Sequence, residues 1–133
     1  MLSLELTRKL SAAGLLWIPQ DGDQYYYRGG ISVWSDQCDY EFALESEIEQ
    51  RNKSAVWIPP LSQLLAEIEA RGYEWEAGVS YTEGGPMMPG RQKSGYWCEV
   101  WKGGKRIAYG RRDTPEEAAG LALLWILEQE GKA

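Results

Sequence analysis

The residue types that most often perform catalysis or bind metals are scarce in this chain of 133 residues. It contains no histidine, which excludes Ser-His-Asp and Cys-His catalysis and the usual zinc ligand sets. Its two cysteines, Cys38 and Cys98, are too few and too far apart in sequence for a metal site or a disulfide framework. We therefore expect two partly buried thiols, no metal and no cofactor.

Pairs of carboxylates are the remaining route to catalysis, as in glycoside hydrolysis, where two acids face each other across a sugar. Glu74 and Glu76 share one face of a predicted strand, and Glu99 belongs to a neighbouring strand. Acids on the wet face of a strand are more often solubility residues. A phosphate loop is not expected at Lys102-Gly103-Gly104-Lys105, which lacks the Walker spacing and a directly following helix. The sequence predicts no enzyme and no catalytic residue.

Basic residues are concentrated near the C-terminus, although the net charge of the chain is −6. Between Arg91 and Arg112, seven basic residues stand against Glu99 alone, which gives +6 there and leaves −12 for the rest. Nucleic acid could bind the tip of a predicted hairpin, with two tryptophans stacking on bases. The candidate binding residues are Trp97, Trp101, Lys102, Lys105 and Arg106, with Arg91, Lys93, Arg111 and Arg112 nearby. The acidic net charge disfavours this function.

Acidic residues are densest in the middle of the chain. Six acids without a base occur there: Asp36, Asp39, Glu41, Glu45, Glu47 and Glu49. Such a run is usually a solvated segment, and we expect a loop, or an edge strand over residues 40–44. A DNA mimic that blocks a nucleic-acid enzyme is a minor alternative, because such proteins are generally far more acidic.

Aromatic residues are the unusual feature of the composition, with seven Trp and eight Tyr against a single Phe. Trp and Tyr combine a large apolar ring with a polar group, and they frequently anchor protein interfaces. We therefore favour a non-enzymatic interaction module that contacts an unidentified protein or a second copy of itself. The alternative is that these side chains are simply core, since large apolar residues are buried by default.

The elements that position these residues follow an α+β pattern over a single domain, 1–133. The N-terminal half begins with a predicted helix over residues 2–13 and a hairpin around Gly29-Gly30. The C-terminal half has the order α-β-β-β-α, with a helix opened by Pro59-Pro60 and strands over 73–81, 96–101 and 106–110. This pattern predicts an antiparallel meander of three or more strands packed by helices, with a loop from Thr82 to Gly95.

The last helix has the best-defined start in the sequence. Thr114 and Glu117 predict a capping box, with Pro115 at the first helical position. From Ala118 to Leu127 the helix is apolar nearly all round, so we expect it to be buried on more than one side. Because one sheet covers only one side, either the N-terminal half or a second subunit must cover the other.

Two resemblances follow from these motifs. The α-β-β-β-α order resembles double-stranded RNA-binding domains, which carry a basic cluster at the start of the last helix. This chain has Asp113-Thr114-Pro115-Glu116-Glu117 there, so RNA binding of that type is not expected.

A second resemblance is to small uncharacterised proteins of bacteriophages and prophages with an α-β-α sandwich domain. The matching segments are Trp57 to Leu65, Trp97-Cys98-Glu99-Val100 and Thr114 to Ala119. The resemblance implies a phage or prophage protein of the cytoplasm and brings no catalytic residues. A cytoplasmic location also agrees with the charged residues within 1–17 and with the longest apolar run, 121–127, which is too short to cross a membrane.

Overall fold

The computed structural model describes residues 1–18, 20–27, 30–35, 56–83 and 90–131. These residues form three helices and two antiparallel sheets of three strands each, which confirms the predicted α+β class. The acidic segment 36–49, with its predicted loop or edge strand, lies outside the described residues. None of the described helices is long and apolar enough to cross a membrane. In chain order the elements are α1 (Leu4–Ala12), β1 (Gln24–Tyr27), β2 (Gly30–Val33), β3 (Val56–Ile58), α2 (Leu61–Ala70), β4 (Glu74–Glu83), β5 (Arg91–Lys102), β6 (Lys105–Arg112) and α3 (Pro115–Gly131).

Helix α1 is closed by hydrogen bonds at both ends. Ser3 is the N-cap, and its Oγ accepts from the Leu6 N–H at 3.2 Å. At the other end, the Leu15 N–H donates to the Leu10 carbonyl at 3.0 Å, across Gly14. The predicted leucine face of this helix is buried, which confirms the helix and its amphipathic pattern.

The first sheet has the strand order β2-β1-β3. Its hairpin, in which Tyr27 pairs with Gly30, is the one that the Gly-Gly pair predicts. Strand β3, which places Trp57 opposite Tyr25, is not predicted by the sequence pattern. Three residues before a Pro-Pro pair are too few to show an alternation, so only pairing with β1 reveals this strand.

Helix α2 follows the Pro-Pro pair, as predicted. Pro60 is the N-cap itself and does not occupy the first turn, because the helix begins one residue after it. Leu64 and Ile68 are fully buried. At the C-terminal end, the Arg71 guanidinium lies 3.3 Å from the Glu130 carboxylate of α3, which ties these two helices together.

The second sheet is the predicted meander, with the strand order β4-β5-β6. A two-residue turn joins β5 to β6, and its glycines, Gly103 and Gly104, have φ values of 60° and 78°, as a type I′ hairpin turn requires. The predicted loop from Thr82 to Gly95 is wrong at both ends, because Glu83 still pairs with Arg91, and residues 84–89 lie outside the described residues. The polar and charged residues there have low strand propensity, but cross-strand pairing extends both strands through them.

Helix α3 is enclosed on several sides, as its apolar sequence predicts. It packs on the second sheet with one side and against α1 and α2 with others. A Cβ atom at Gly120 would lie 2.8 Å from Cδ2 of Leu2 and 3.0 Å from Cδ2 of Leu6, so α1 lies directly against this helix. The N-terminal half therefore covers the side that the second sheet leaves open, and a second subunit is not required for this purpose.

The start of α3 departs from a complete capping box. Thr114 is the cap, and its Oγ1 accepts from the Glu117 N–H at 3.2 Å, as predicted. The Glu117 carboxylate accepts instead from the backbone N–H of Ser3, the N-cap of α1. The glutamate of the predicted box therefore joins the first helix of the chain to the last one.

Candidate interaction surface on the second sheet

The central strand of the second sheet presents two different faces. Cys98 and Val100 are buried and face the helices. Trp97, Glu99 and Trp101 alternate with them on the opposite face, and each is partly exposed. This is the division that the alternation of the sequence predicts. The helices of the described chain therefore stabilise one face of β5, and the tryptophans belong to the other.

Cross-strand register arranges the second face in three levels. A level consists of one residue from each of β4, β5 and β6 that pair across the sheet. The first level is Glu74, Trp101 and Arg106, the second is Glu76, Glu99 and Tyr109, and the third is Gly78, Trp97 and Arg111. We call these nine residues the outer face. Along the strands, β4 contributes acids and a glycine, β5 contributes two tryptophans around a glutamate, and β6 contributes two arginines around a tyrosine.

A β-bulge decides which residue of β6 joins the outer face. The register shifts between Val100 and Trp101, so Val100 pairs with Ala108 and Trp101 pairs with Arg106. Ile107 is the extra residue, and it packs against the core. Strict alternation from Tyr109 would have placed Ile107 on the outer face and Arg106 on the core side.

The Trp97 ring lies against the backbone of the neighbouring strand. A Cβ atom at Gly78 would lie 2.7 Å from Cζ2 and 2.9 Å from Cε2 of that indole, so only a glycine leaves room for it. The cross-strand pair therefore fixes the indole as a flat platform on the sheet. A rigid, preorganised aromatic side chain loses little entropy when a partner covers it.

Charged side chains on the outer face are partly paired with each other. Nη1 of Arg106 lies 3.3 Å from Oε1 of Glu99, and its guanidinium is 5.4 Å from the ring centroid of Tyr109. The Arg111 guanidinium donates to Oγ of Ser94 at 3.1 Å. Since the Arg106 side chain is 54% exposed and that of Glu99 is 21% exposed, the arginine can still reach a partner.

The indole N–H of Trp101 has no hydrogen-bond acceptor within the described residues, although the nitrogen is buried. The indole N–H of Trp57, which lies outside the outer face, likewise has no acceptor within the described residues. By contrast, the Trp75 N–H donates to the Glu69 carboxylate at 2.8 Å, and the Trp17 N–H donates to the Asp23 carboxylate at 2.9 Å. A buried donor without an acceptor costs about 1–3 kcal/mol. Because Trp57 shares this cost, the unsatisfied donor does not by itself distinguish the outer face from the rest of the described chain.

The predicted basic cluster is divided between two ends of the second sheet. Lys105 is exposed at the hairpin tip, and Arg106 is on the outer face beside it. Lys102 is on the opposite side, with its Nζ 4.8 Å from the ring centroid of Tyr73. The remaining basic residues that were expected nearby pair at the far end of the strands, where Trp97 pairs with Arg111, Tyr96 with Arg112 and Tyr81 with Lys93. Of the five predicted binding residues, the structure thus brings together Trp97, Trp101 and Arg106.

The carboxylates considered for catalysis, Glu74, Glu76 and Glu99, are all on the outer face, where each is exposed or partly exposed. Glu76 is directly opposite Glu99, and Glu74 is exposed at the next level. In the part of the chain that is described, no group of three His, Cys, Asp or Glu residues is arranged to hold a metal ion.

Burial, and secondarily the charge of Glu99, raises the pKa of the Cys98 thiol from 9.0 to about 11, so it is protonated at neutral pH.

Part of the aromatic content belongs to a separate small core. Tyr25 and Trp34 are 4% and 1% exposed and pack with Trp17 beside the first sheet. The Trp17 ring centroid is 5.4 Å from that of Tyr25 and 5.8 Å from that of Trp34. The alternative that the aromatic residues are core therefore holds for these residues, whereas Trp97, Trp101 and Tyr109 lie outside both cores.

Known proteins add no further information about this surface. No protein-family model, no curated protein and no solved structure matches the chain. The resemblance to phage and prophage proteins consequently stays a prediction. The outer face must be interpreted from its own geometry and charge.

Proposed function

We propose that the protein is a non-enzymatic interaction module and that the outer face is its contact surface for another protein. One observation carries this proposal: two tryptophans, a tyrosine and two arginines lie on a single face of a sheet whose opposite face is fixed by the core. Trp, Tyr and Arg are the residue types that contribute most to the free energy of protein–protein binding.

The charges of the outer face favour a protein over a nucleic acid as the partner. Three glutamates and two arginines belong to it, so phosphate groups would meet carboxylates on β4 and β5. Protein surfaces carry charges of both signs and can complement such a face. The rigid backbone of a sheet also allows the surface to bind without a costly rearrangement.

Site-specific photocrosslinking tests the proposal. A photoreactive benzoylphenylalanine replaces Tyr109, which is 45% exposed on the outer face. The matched control replaces Trp125, an aromatic residue on α3 that is 41% exposed and lies outside the outer face. Irradiation in a lysate of the source organism should give adducts of defined mass from position 109 and not from position 125.

The adducts must also depend on the chemistry of the face. Arg106→Ala combined with Arg111→Ala removes both cations of the outer face without touching the core, and we expect it to abolish the adducts from position 109. Adducts that form equally from positions 109 and 125, or that survive the double substitution, would show that the outer face is not a specific contact surface.

Nucleic-acid binding through the C-terminal hairpin is the second candidate function. The observation that favours it is that Arg106 and Arg111 flank Trp97 and Trp101 on one face, an arrangement that suits a single strand stacked on aromatic rings. Fluorescence anisotropy of labelled single-stranded DNA, duplex DNA and duplex RNA provides the test. Binding that weakens with salt and is lost in Lys105→Glu/Arg106→Glu would support this function, and no binding at low salt would remove it.

The place of action forms part of the same proposal. A cytoplasmic location and a phage or prophage origin are what the sequence implies. A fusion to a fluorescent protein, expressed in a bacterial host, would test the location. Signal distributed evenly through the cytoplasm supports it, and signal confined to the cell envelope would contradict it.

A further inference from the structure

We infer that the outer face binds the outer face of a second copy of this chain, about a two-fold axis parallel to β5. This inference rests on the proposed function, since it names the partner of the same surface. Acids occupy the β4 row, aromatic side chains occupy the β5 row around Glu99, and cations occupy the β6 row. A face with opposite charges on its two sides and aromatic residues between them can be complementary to itself.

The register of the sheet selects the direction of the axis. A rotation of 180° about an axis parallel to β5, between two stacked faces, exchanges the β4 and β6 rows and keeps each residue at its level along the strand. Glu74 of one copy then faces Arg106 of the second copy, because both residues belong to the level of Trp101. The β5 backbone lies along the axis, so Trp101 faces its own counterpart, whereas the Trp97 indole, which lies over Gly78, faces Arg111 of the second copy.

The other axis in the plane of the interface gives no such match. An axis perpendicular to the strands keeps each row opposite itself and exchanges the end levels. Glu76 would then face Glu76 of the second copy, Glu74 would face a glycine, and the arginines of β6 would face each other. Like charges in apposition cost binding free energy, so the charge pattern permits the first axis and opposes the second.

Distances between packed sheets allow the contacts of the first axis. Stacked sheets lie about 10 Å apart, a gap that a glutamate and an arginine extending from opposite sides can span. Glu99 faces its own counterpart on the axis, but each Glu99 is already paired with Arg106 of its own chain at 3.3 Å. The arginine thus neutralises the central carboxylate and remains exposed enough to reach Glu74 of the second copy.

The size of the face sets the strength of the association. Three strands about 4.8 Å apart, over about six residues of 3.3 Å each, give a plan area of roughly 300 Å². Standard interfaces bury about 800 Å² per partner. The dimer should therefore be weak, in exchange with the monomer, and sensitive to salt.

Sedimentation velocity of the full chain, from about 10 μM to about 1 mM, measures this equilibrium. The wild type should shift from monomer to dimer as concentration rises. Glu74→Arg alone, and Glu99→Gln/Arg106→Glu alone, should each raise the dissociation constant on the order of tenfold or more, since like charges then face each other twice. In the second variant, Glu99→Gln prevents repulsion between the Glu99 carboxylate and the glutamate introduced at position 106. The dissociation constant of this double variant is therefore compared with that of Glu99→Gln alone.

Mixing the two variants is the decisive step. In a mixed dimer, arginine at position 74 of one copy faces glutamate at position 106 of the other, and the second contact is the original Arg106–Glu74 pair. The mixture should therefore dimerise at concentrations at which each variant alone is monomeric. Glu128→Arg, an equal charge change at an exposed position of α3, should leave the wild-type equilibrium unchanged. Circular dichroism confirms that each variant is folded.

Three results would overturn the inference. They are a wild type that stays monomeric throughout, a dimer that neither variant weakens, and a mixture that fails to restore association. The proposed function is judged separately: photocrosslinks from position 109 to a different protein would uphold the interaction module while this inference fails. A crosslinked species of about 30 kDa, twice the 15.1 kDa mass of the chain, would support both.

Discussion

Replacing Gly110 by alanine tests how closely α3 lies against the second sheet. A Cβ atom at this position of β6 would be 2.1 Å from the carbonyl oxygen of Ala118 and 3.3 Å from the backbone nitrogen of Ala122. Carbon and oxygen atoms normally approach to no less than about 3.3 Å, so the helix must move by about 1 Å. Both alanines are fully buried, and backbone atoms cannot rotate away as the end of a side chain can.

The energetic consequence follows from two opposing terms. Alanine in a strand interior is favoured over glycine by about 0.5–1 kcal/mol, and the φ of Gly110 is not in the left-handed region, so its own backbone is not strained. Overpacking costs about 1–3 kcal/mol, and displacement of a central helix belongs at the upper end or beyond. We expect a net loss of about 2–3 kcal/mol in the free energy of unfolding.

Urea unfolding followed by circular dichroism measures this loss. The matched control is Gly30→Ala, a strand glycine whose added Cβ would have its nearest contact at 3.9 Å, the carbonyl oxygen of Tyr27. The control should be as stable as the wild type or more stable by up to about 1 kcal/mol. If Gly110→Ala were as stable as Gly30→Ala, α3 would not be seated on β6 as described, and the burial of its apolar sequence would need another explanation.

The remaining predictions concern the core, the buried thiol and the helix ends. Leu124→Asp places an unpaired charge at a side chain that is 7% exposed on α3 and should unfold the protein; an unchanged midpoint of thermal unfolding would contradict that burial. In a Cys38→Ser background, Cys98 should resist thiol reagents at pH 8 until the chain is unfolded, because its pKa is about 11. Because the unfolded chain releases the Cys98 proton at lower pH than the folded chain, the thiol's contribution to the free energy of unfolding is complete below pH 9.0 and is lost as pH rises towards about 11. The Cys98→Ala variant should lack this decrease in stability. Arg71→Ala removes ion pairs to carboxylates on α2 and α3, at a side chain that is 22% exposed, and should lower the free energy of unfolding by about 1 kcal/mol in urea titrations; no change would show that the pairs are solvated.

Elements with a complete local signal could be predicted from the sequence. Helices α1 and α2 have apolar periodicity and a terminal glycine, and α3 has a continuous apolar sequence after a capping threonine. The Lys102–Lys105 hairpin has two glycines at the positions where positive φ is needed. Strand β3 and the outer ends of β4 and β5 could not be predicted in this way. Their residues join a sheet because a neighbouring strand pairs with them, and pairing between distant segments leaves no local pattern.

The burial of α3 illustrates a second limit of prediction from the sequence. Its apolar sequence shows that several sides must be buried, but it does not show which element buries each side. Gly120 contributes a clue that becomes visible only in three dimensions, because the missing side chain is what lets Leu2 and Leu6 approach. The sequence leaves both the N-terminal half and a second subunit open as the element that covers α3, and only the position of α1 decides between them.

The outer face was predictable in part for a related reason. Alternation along β5 identifies Trp97 and Trp101, which contribute the aromatic row. The bulge at Ile107 reverses the expected alternation of β6, and it is the bulge that brings Arg106 beside Glu99. Tyr109 is not identified by the sequence, because one tyrosine in the predicted strand 106–110 is typical of any strand and does not indicate a site.

Charge gives the clearest contrast between the linear and the folded chain. In the sequence, +6 accumulates between Arg91 and Arg112, which suggests a basic patch. The meander places β5 between an acidic strand and a basic strand, so cations and carboxylates end up on one face about 10 Å apart across the sheet. Such a face has opposite charges on its two sides and little net charge, and it attracts a surface of the same alternating kind more strongly than a uniformly charged polymer. For this reason the folded arrangement of charges, and not the linear charge pattern, is what supports the proposals of a protein partner and of a second copy of the chain in that role.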